Sequence, residues 1–389
     1  MEPGQLVTTE REYTALAYDT VTGRVLYDLD LVAEPEWSAQ INDTGDGKIS
    51  VPLDGGPRTV RAREWAVPDK FSIAVLRGVE VAQAGPITPY QPDDENPVLS
   101  VAFKGIWDIL DRRVLHNAAW NPAAGQRLTD PSSDINLTNS LPNLARELVN
   151  HAINMQFISG SNLPIDLPAL DPAGGDNVRN YHGYDMAPFG QRLRELTQVD
   201  SGPDVLFQPY LTVVDGERFI RHRLLIGDPY LTQPGVDMRF FYNRTLTKMS
   251  VAGGTTASAS RTFVKGSGNE AGQLYGTATA DDLIAAGWPL VDYVDTNHTD
   301  ATAQSTLDSW AQADVDLYSK LPEQWQATVL ADADPPFGTY SPGHFATYSV
   351  RGHHWLPDGE YRWRMVGMSK SSSTPRDRVD HQLQAIRAA

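Results

Sequence analysis

Apolar and polar residues alternate at the start of the chain. Tyr13-Thr14-Ala15-Leu16-Ala17-Tyr18 has the period of a strand, Asp19 to Gly23 supply turn chemistry, and Arg24 to Leu31 read as a second strand. Further strands are predicted at Trp37–Ile41, Lys48–Leu53, Phe71–Leu76, Val79–Ala84, from Gly85, and at Val98–Phe103, followed by Gly105–Leu115. Short strands separated by Gly, Pro and Asp turns predict a barrel or sandwich over residues 1–115. The pattern changes over 116–200. Residues 121–140 and 159–180 are rich in turn formers and read as loops. Ser140-Leu141-Pro142 marks a helix start, with Leu144, Leu148, Val149 and Ala152 at helical spacing, and Pro188–Thr197 reads as a short helix. This stretch is taken as a mixed, partly helical insertion.

Strand patterning returns over 201–270. Val205–Val214 and Arg218–Ile226 flank Asp215-Gly216-Glu217, a hairpin, and Lys248–Ala252 and Arg261–Gly266 alternate again after a Gly- and Thr-rich turn. Over 271–389 the pattern is mixed. Asp281–Gly287 is a short helical turn ending in Gly, and Thr302–Leu321 is the longest helical pattern, stopped by Pro322. Strands follow at Gln324–Leu330, His344–Val350 and Glu360–Met368, and then a polar tail from Ser369. The expected fold class is α+β and β-rich. The expected divisions are an N-terminal barrel (1–115), the insertion (116–200), a second β region completing or pairing with the first barrel (201–270), and a C-terminal α+β, barrel-like domain (271–389).

Length and charge narrow the function classes. The 389 residues suffice for two to three domains. The polar start Met1-Glu2-Pro3-Gly4-Gln5 shows no secretory signal, and no apolar run is long enough to span a membrane. With no cysteine, disulfides, thiolate metal sites and cysteine nucleophiles are absent. A net charge of −17 argues against specific nucleic-acid binding, which needs clustered Lys and Arg. It is compatible with a wall that DNA passes without sticking, and equally with a charge that only keeps the protein in solution.

Candidate chemistry is thin. Asp43-Thr44-Gly45 matches the core tripeptide of aspartic proteases, but its neighbours Asn42, Asp46 and Gly47 make it a hairpin turn. The same stretch parallels a calcium loop but has Leu53 where the closing Glu belongs. Gly266-Ser267-Gly268-Asn269-Glu270-Ala271-Gly272 has neither dinucleotide nor phosphate-loop spacing and reads as a flexible connection. His344 and the adjacent His353 and His354 read as surface or partly buried residues on a β segment. No catalytic, cofactor or metal site is therefore expected, and no enzyme activity. Trp107, Trp120, Trp288 and Trp355 are candidate interface anchors.

Four stretches carry a resemblance. They are Trp37–Asn42 through Val51-Pro52-Leu53; Ile73–Gly78 running into Ala84-Gly85-Pro86-Ile87; Phe103-Lys104-Gly105-Ile106-Trp107-Asp108-Ile109-Leu110-Asp111-Arg112-Arg113; and the C-terminal order of long helix, strand, Gly338-Thr339-Tyr340-Ser341-Pro342-Gly343, strand. Their order resembles the tail-tip hub (tail-associated, baseplate-hub) proteins of long-tailed bacteriophages, especially actinobacterial siphophages. Residues 116–200 fit this only loosely. The resemblance implies a minor tail protein of the virion, made in the host cytoplasm, forming a homotrimeric ring below the tail tube. Two barrels per subunit would make a collar matching the hexameric tube. The implied partners are a distal tail protein, the tape measure protein, and tail fibres or other minor tail proteins, with DNA passing through the lumen unbound and no membrane insertion. Some relatives add a C-terminal peptidase or lytic domain, and a chain ending at Ala389 is expected to lack one. The rival readings are a tail adhesin binding cell-wall glycan and a tail-associated glycan hydrolase.

Overall fold

The computed structural model describes residues 12–384 apart from 94, 200, 234, 236, 254–258, 300 and 320–322. The expectations for Met1–Gln5, for the turn over 254–258 and for Pro322 lie outside the described residues. Two compact units form: residues 1–248 together with 327–389, and residues 249–326. The expected divisions follow the chain, whereas these units do not. Residues 271–326 fall in the second unit and 327–389 in the first.

The first unit opens with β1 (Tyr13–Asp19), β2 (Val25–Leu29), β3 (Glu36–Gln40), β4 (Asp46–Pro52), α1 (Pro57–Trp65), β5 (Phe71–Arg77), β6 (Glu80–Asp93) and β7 (Val98–Lys104). There follow α2 (Trp107–Asp111), β8 (Ile135–Asn139), α3 (Leu141–Ile153), β9 (Ile165–Asp166), β10 (Asn177–Tyr181), α4 (Phe189–Thr197), β11 (Val205–Val214), β12 (Glu217–Ile226) and β13 (Arg239–Phe241), and the chain passes into the second unit within β14 (Leu246–Gly253). The second unit holds β15 (Arg261–Lys265), β16 (Tyr275–Thr279), α5 (Asp281–Ala285), β17 (Asp292–Asp295) and α6 (Gln304–Tyr318). β18 (Glu323–Leu330) leads back to β19 (Phe345–Val350), β20 (Gly359–Lys370) and β21 (Arg378–Gln384). The fold is α+β and β-rich, as the alternation predicts.

One sheet dominates the first unit, with strand order β18-β21-β20-β3-β4-β7-β6-β5-β1-β2, β19 lying beside β20 and β13 beside β19. Its seam is the antiparallel pairing of β20 with β3, from Gly367 opposite Gln40 to Lys370 opposite Trp37. The two ends of the chain thus share one hydrogen-bonded layer. Side chains from both ends fill the space over the seam: the Trp37 and Phe337 rings lie 5.6 Å apart, and Phe240 stacks on Tyr348 at 5.5 Å. Two glycines allow close approach here. A Cβ on Gly47 would lie 2.2 Å from the Phe103 ring, and one on Gly85 would lie 2.0 Å from the Lys104 carbonyl oxygen. β6 runs unbroken past Gly85, so the two strands predicted there are one.

The insertion has its own core. Ser140 caps α3 by accepting from the Asn143 amide at 3.4 Å, and the predicted stripe Leu144, Leu148, Val149 and Ala152 is buried against α2, α4 and the β11–β12 hairpin. The loops read at 121–140 and 159–180 contain β8 and β10, which pair with each other. Other elements escaped the sequence pattern too, α1, β13 and β21 among them. α1 shows little amphipathic signal because three arginines surround Ala62 and Trp65, its two buried residues. β13 has only three residues. β21 lies in the polar tail, where only Val379, His381 and Leu383 turn inward. In the second unit β15 pairs antiparallel with β16 and parallel with β17, and α6 buries Leu307, Ala311 and Val315, the first two against Val264.

Trp37 is 2% exposed and stands where β3 meets β20. Trp37→Ala is expected to cost about 3–5 kcal/mol, because the cavity it leaves lies between strands from opposite chain ends. Urea unfolding followed by far-UV circular dichroism checks this, and a loss under about 1 kcal/mol would mean the seam is not central to stability.

Candidate functional site: buried charge at the seam and exposed apolar surfaces

The sequence candidates fall into place first. Asp43-Thr44-Gly45 forms the β3–β4 turn, with Asn42 and Gly45 at positive φ. The turn is clamped on both sides. Asn42 exchanges two hydrogen bonds with Val205, donating to its carbonyl and accepting from its amide on the side chain, each at 2.8 Å. Asp43 faces Arg194 at 3.1 Å, and Arg194 also grips Asp111 at 2.8 Å. A guanidinium set between two carboxylates is the opposite of a protease pair, in which the two carboxylates face each other. Asp46, the calcium-loop candidate, instead accepts from the Ser38 hydroxyl. Among the described residues no group of three or more acidic or histidine side chains is placed to hold a metal.

The 266–272 segment joins β15 to β16. Gly266 N donates to Leu274 O at 2.9 Å, and the Gln273 amide donates to the Gly266 carbonyl at 2.6 Å. The helix required for phosphate binding is missing at that point. His353 and His354 lie in the loop between β19 and β20 and not on a strand. His353 Nδ1 accepts from the amides of Trp355 and Leu356, each at 3.1 Å, so it organises the loop. His344 is buried, and burial lowers its pKa. The four tryptophans divide. Trp107 is a core residue, 1% exposed and edge-on to Phe207 at 5.6 Å. Trp120 is half-buried against His116 at 4.7 Å. Trp288 and Trp355 are exposed, at 42% and 77%.

Sequence reasoning missed the buried charges. Arg77, at the end of β5, is fully buried. It donates to Asp332 at 2.5 Å and to the Arg376 carbonyl at 2.8 Å, and its guanidinium lies 5.1 Å from the centre of the Tyr13 ring. Lys370, at the end of β20, reaches Glu34 at 2.6 Å and the Thr374 carbonyl at 3.2 Å, with its ammonium 5.5 Å from the same ring. Arg364 pairs with Asp204 under the Tyr230 ring, and burial lowers its pKa to about 10. In all three pairs the partners come from opposite ends or distant segments of the chain. The sequence signal for Arg77 is faint: a cation closing a mostly apolar run, with its carboxylate 255 residues away. Two buried histidines play a similar part. His222 on β12 meets the Tyr18 hydroxyl on β1 at 3.4 Å, and His381 on β21 meets the Tyr348 hydroxyl on β19 at 3.0 Å. Burial lowers both pKa values to about 3.

Two surfaces of the molecule are apolar and open. On the first unit, a groove of about 480 Å³ lies between α1 and the strands beside it, with Leu53, Ala62, Val67, Tyr90 and Leu99 in its walls and Arg63 among its lining residues. On the second unit, Ile284, Trp288, Leu290, Val291 and Val294 are each 39–56% exposed, clustered in sequence from α5 to β17. Isolated exposed apolar residues are ordinary, whereas contiguous ones mark contact surfaces. Among the described residues no helix is long and apolar enough to cross a membrane.

No family model matches this chain, and no curated protein does. Solved structures do. The 43 kDa tail protein of prophage MuSo2 from Shewanella oneidensis is similar over 96% of this chain and 98% of its own length, with a TM-score of 0.55 and 11% identity. A tail protein from Neisseria meningitidis MC58 is similar over 95% and 96%, with a TM-score of 0.52 and 11% identity. At this identity the likeness is one of fold. This chain has the fold of phage-type tail proteins along nearly its whole length.

Two outcomes follow from the buried charges. Asp332→Ala leaves Arg77 without a counter-charge and is expected to cost about 3–5 kcal/mol, read by urea unfolding; a neutral result would show that the guanidinium finds water or another carboxylate. The histidines set a pH dependence. Their folded pKa values lie below the unfolded value near 6.5, so protons bind preferentially to the unfolded chain below that pH. Stability is full above about pH 6.5 and falls toward pH 5, each histidine contributing about 1.4 kcal/mol per pH unit once well below its unfolded pKa. His381→Gln should flatten the fall in urea midpoint across this window. An unchanged slope would assign the acid sensitivity to other groups.

Proposed function

We propose that this protein is a structural, non-catalytic minor protein of a phage tail. We further propose that it is a hub subunit closing into a homotrimeric ring at the distal end of the tail tube. One observation carries the reading: the fold likeness to tail proteins runs from one end of the chain to the other, 96% of this chain against 98% of the Shewanella prophage tail protein. The hub assignment rests further on the sequence resemblance to tail-tip proteins of actinobacterial siphophages. Strands of the large sheet would supply two tube-like barrels per subunit, three subunits giving the pseudo-sixfold collar that a hexameric tube requires. The distal tail protein would sit above the ring, the end of the tape measure protein inside it, and fibres or other minor tail proteins beside it. The acidic surface suits a lumen through which DNA passes without binding, because like charges repel it.

What the buried chemistry does agrees with this role. The buried ion pairs Arg77–Asp332 and Arg364–Asp204 join distant segments of the chain, and the buried histidines are neutral links between strands. Light scattering of the purified chain, with negative-stain averages of the same peak, tests the proposal. The expected mass is three times 42.8 kDa, with threefold rings, formed alone or on addition of the tail-tube protein. A chain that stays monomeric in both conditions overturns the hub reading.

A further inference from the structure

We propose that the α1 groove of one copy and the acidic, apolar face over α5–β17 of a neighbouring copy are the two halves of a head-to-tail contact. The inference rests on the ring reading above and supplies its joint. A ring closed by rotation requires two different, mutually complementary patches on each subunit. The structure offers one of each kind.

The groove is the basic half. In a chain of net charge −17, α1 carries Arg58, Arg61 and Arg63 against the single carboxylate of Glu64. Arg58 lies 3.4 Å from Asp30, whereas Arg63, which lines the groove, makes no ion pair among the described residues. Beside it the walls are apolar, and Tyr90 is 49% exposed and Val67 37%. This volume is of the size that receives a few large side chains.

The other half is acidic. Residues 249–326 contain three Lys and Arg against ten Asp and Glu, a net of −7. Asp281 and Asp282 occupy the first turn of α5, exposed and directly before the apolar run. Trp288 and Leu290 follow at 42% and 52% exposure. An indole and an isobutyl group held in water cost free energy in proportion to their area, and a docking groove removes that cost. Charge decides which surface they meet. Copies that each carry −17 repel one another, so a productive contact must set guanidinium against carboxylate, and the α1 groove does so.

The test is charge reversal in the full chain, followed by sedimentation or light scattering over a wide concentration range, with thermal melts confirming that every variant folds. Arg63→Glu is expected to weaken self-association about tenfold or more, as is the pair Asp281→Lys with Asp282→Lys. All three changes together should restore most of the loss, since the reversed charges face each other again. Trp288→Ser should weaken association without altering its salt dependence. If Arg63→Glu and the aspartate variant associate like the parent, the joint lies elsewhere and the ring reading stands. Weakening by each without restoration means the two patches do not meet, which overturns the contact. A parent chain that is monomeric at every concentration also overturns it, while the hub reading is then decided separately by co-assembly with the tube protein.

Discussion

Two cations buried against one tyrosine ring hold the ends of this chain together. Arg77 and Lys370 are both removed from water, and each would be costly there alone. Asp332 and Glu34 neutralise them, main-chain carbonyls of Arg376 and Thr374 accept hydrogen bonds from them, and Tyr13 offers its π-face. Such pairs add little net stability over a well-packed apolar cluster. What they add here is discrimination. Lys370 stands opposite Trp37 at the end of the β20–β3 ladder, and a slip by one residue would turn its ammonium to the other face and strand Glu34. Register at the seam therefore depends on charge as much as on packing. From that register follows the continuous layer of strands from β18 to β2.

The histidines extend the same logic. His222 ties the β11–β12 hairpin to β1, and His381 ties β21 to the Phe240–Tyr348–Tyr340 cluster. Both links need a neutral ring, so the fold is built for conditions in which imidazole is deprotonated. Both links lie in the interior of the first unit, and the two open apolar faces are left outside it.

Much of the fold was legible in the chain. Apolar patterning, alternating or continuous, located β1, β5, β7, β11, β12 and β19; turn chemistry placed the β3–β4 and β11–β12 turns, with positive φ at Asn42, Gly45, Asp215 and Gly216; and Ser140-Leu141-Pro142 marked the start of α3. These signals are local, set by side-chain period and by backbone conformations that few residues accept. α1 was not legible, because its burial amounts to Ala62 and Trp65 on a helix otherwise dressed for solvent. β21 was hidden for a similar reason: Asp380 and His381 read as tail, although Asp380 accepts hydrogen bonds from Thr328 and Thr374 and His381 is completely buried. Trp107, read as an interface anchor, is core, since composition cannot say which face of an element meets another.

By itself, then, the sequence determined the class of the fold, the position of most elements, the absence of thiol chemistry and a net charge of −17. Each of these follows from short-range pattern or from composition. Tertiary structure alone decided that residues 327–384 complete the sheet begun by residues 13–104, that Arg77 belongs to Asp332 and Lys370 to Glu34, and that Trp288 and Trp355 face solvent while Trp107 does not. These are pairings between residues tens to hundreds of positions apart. No local period encodes them, because the free energy that selects them comes from desolvation and packing that exist only once the distant segments have met.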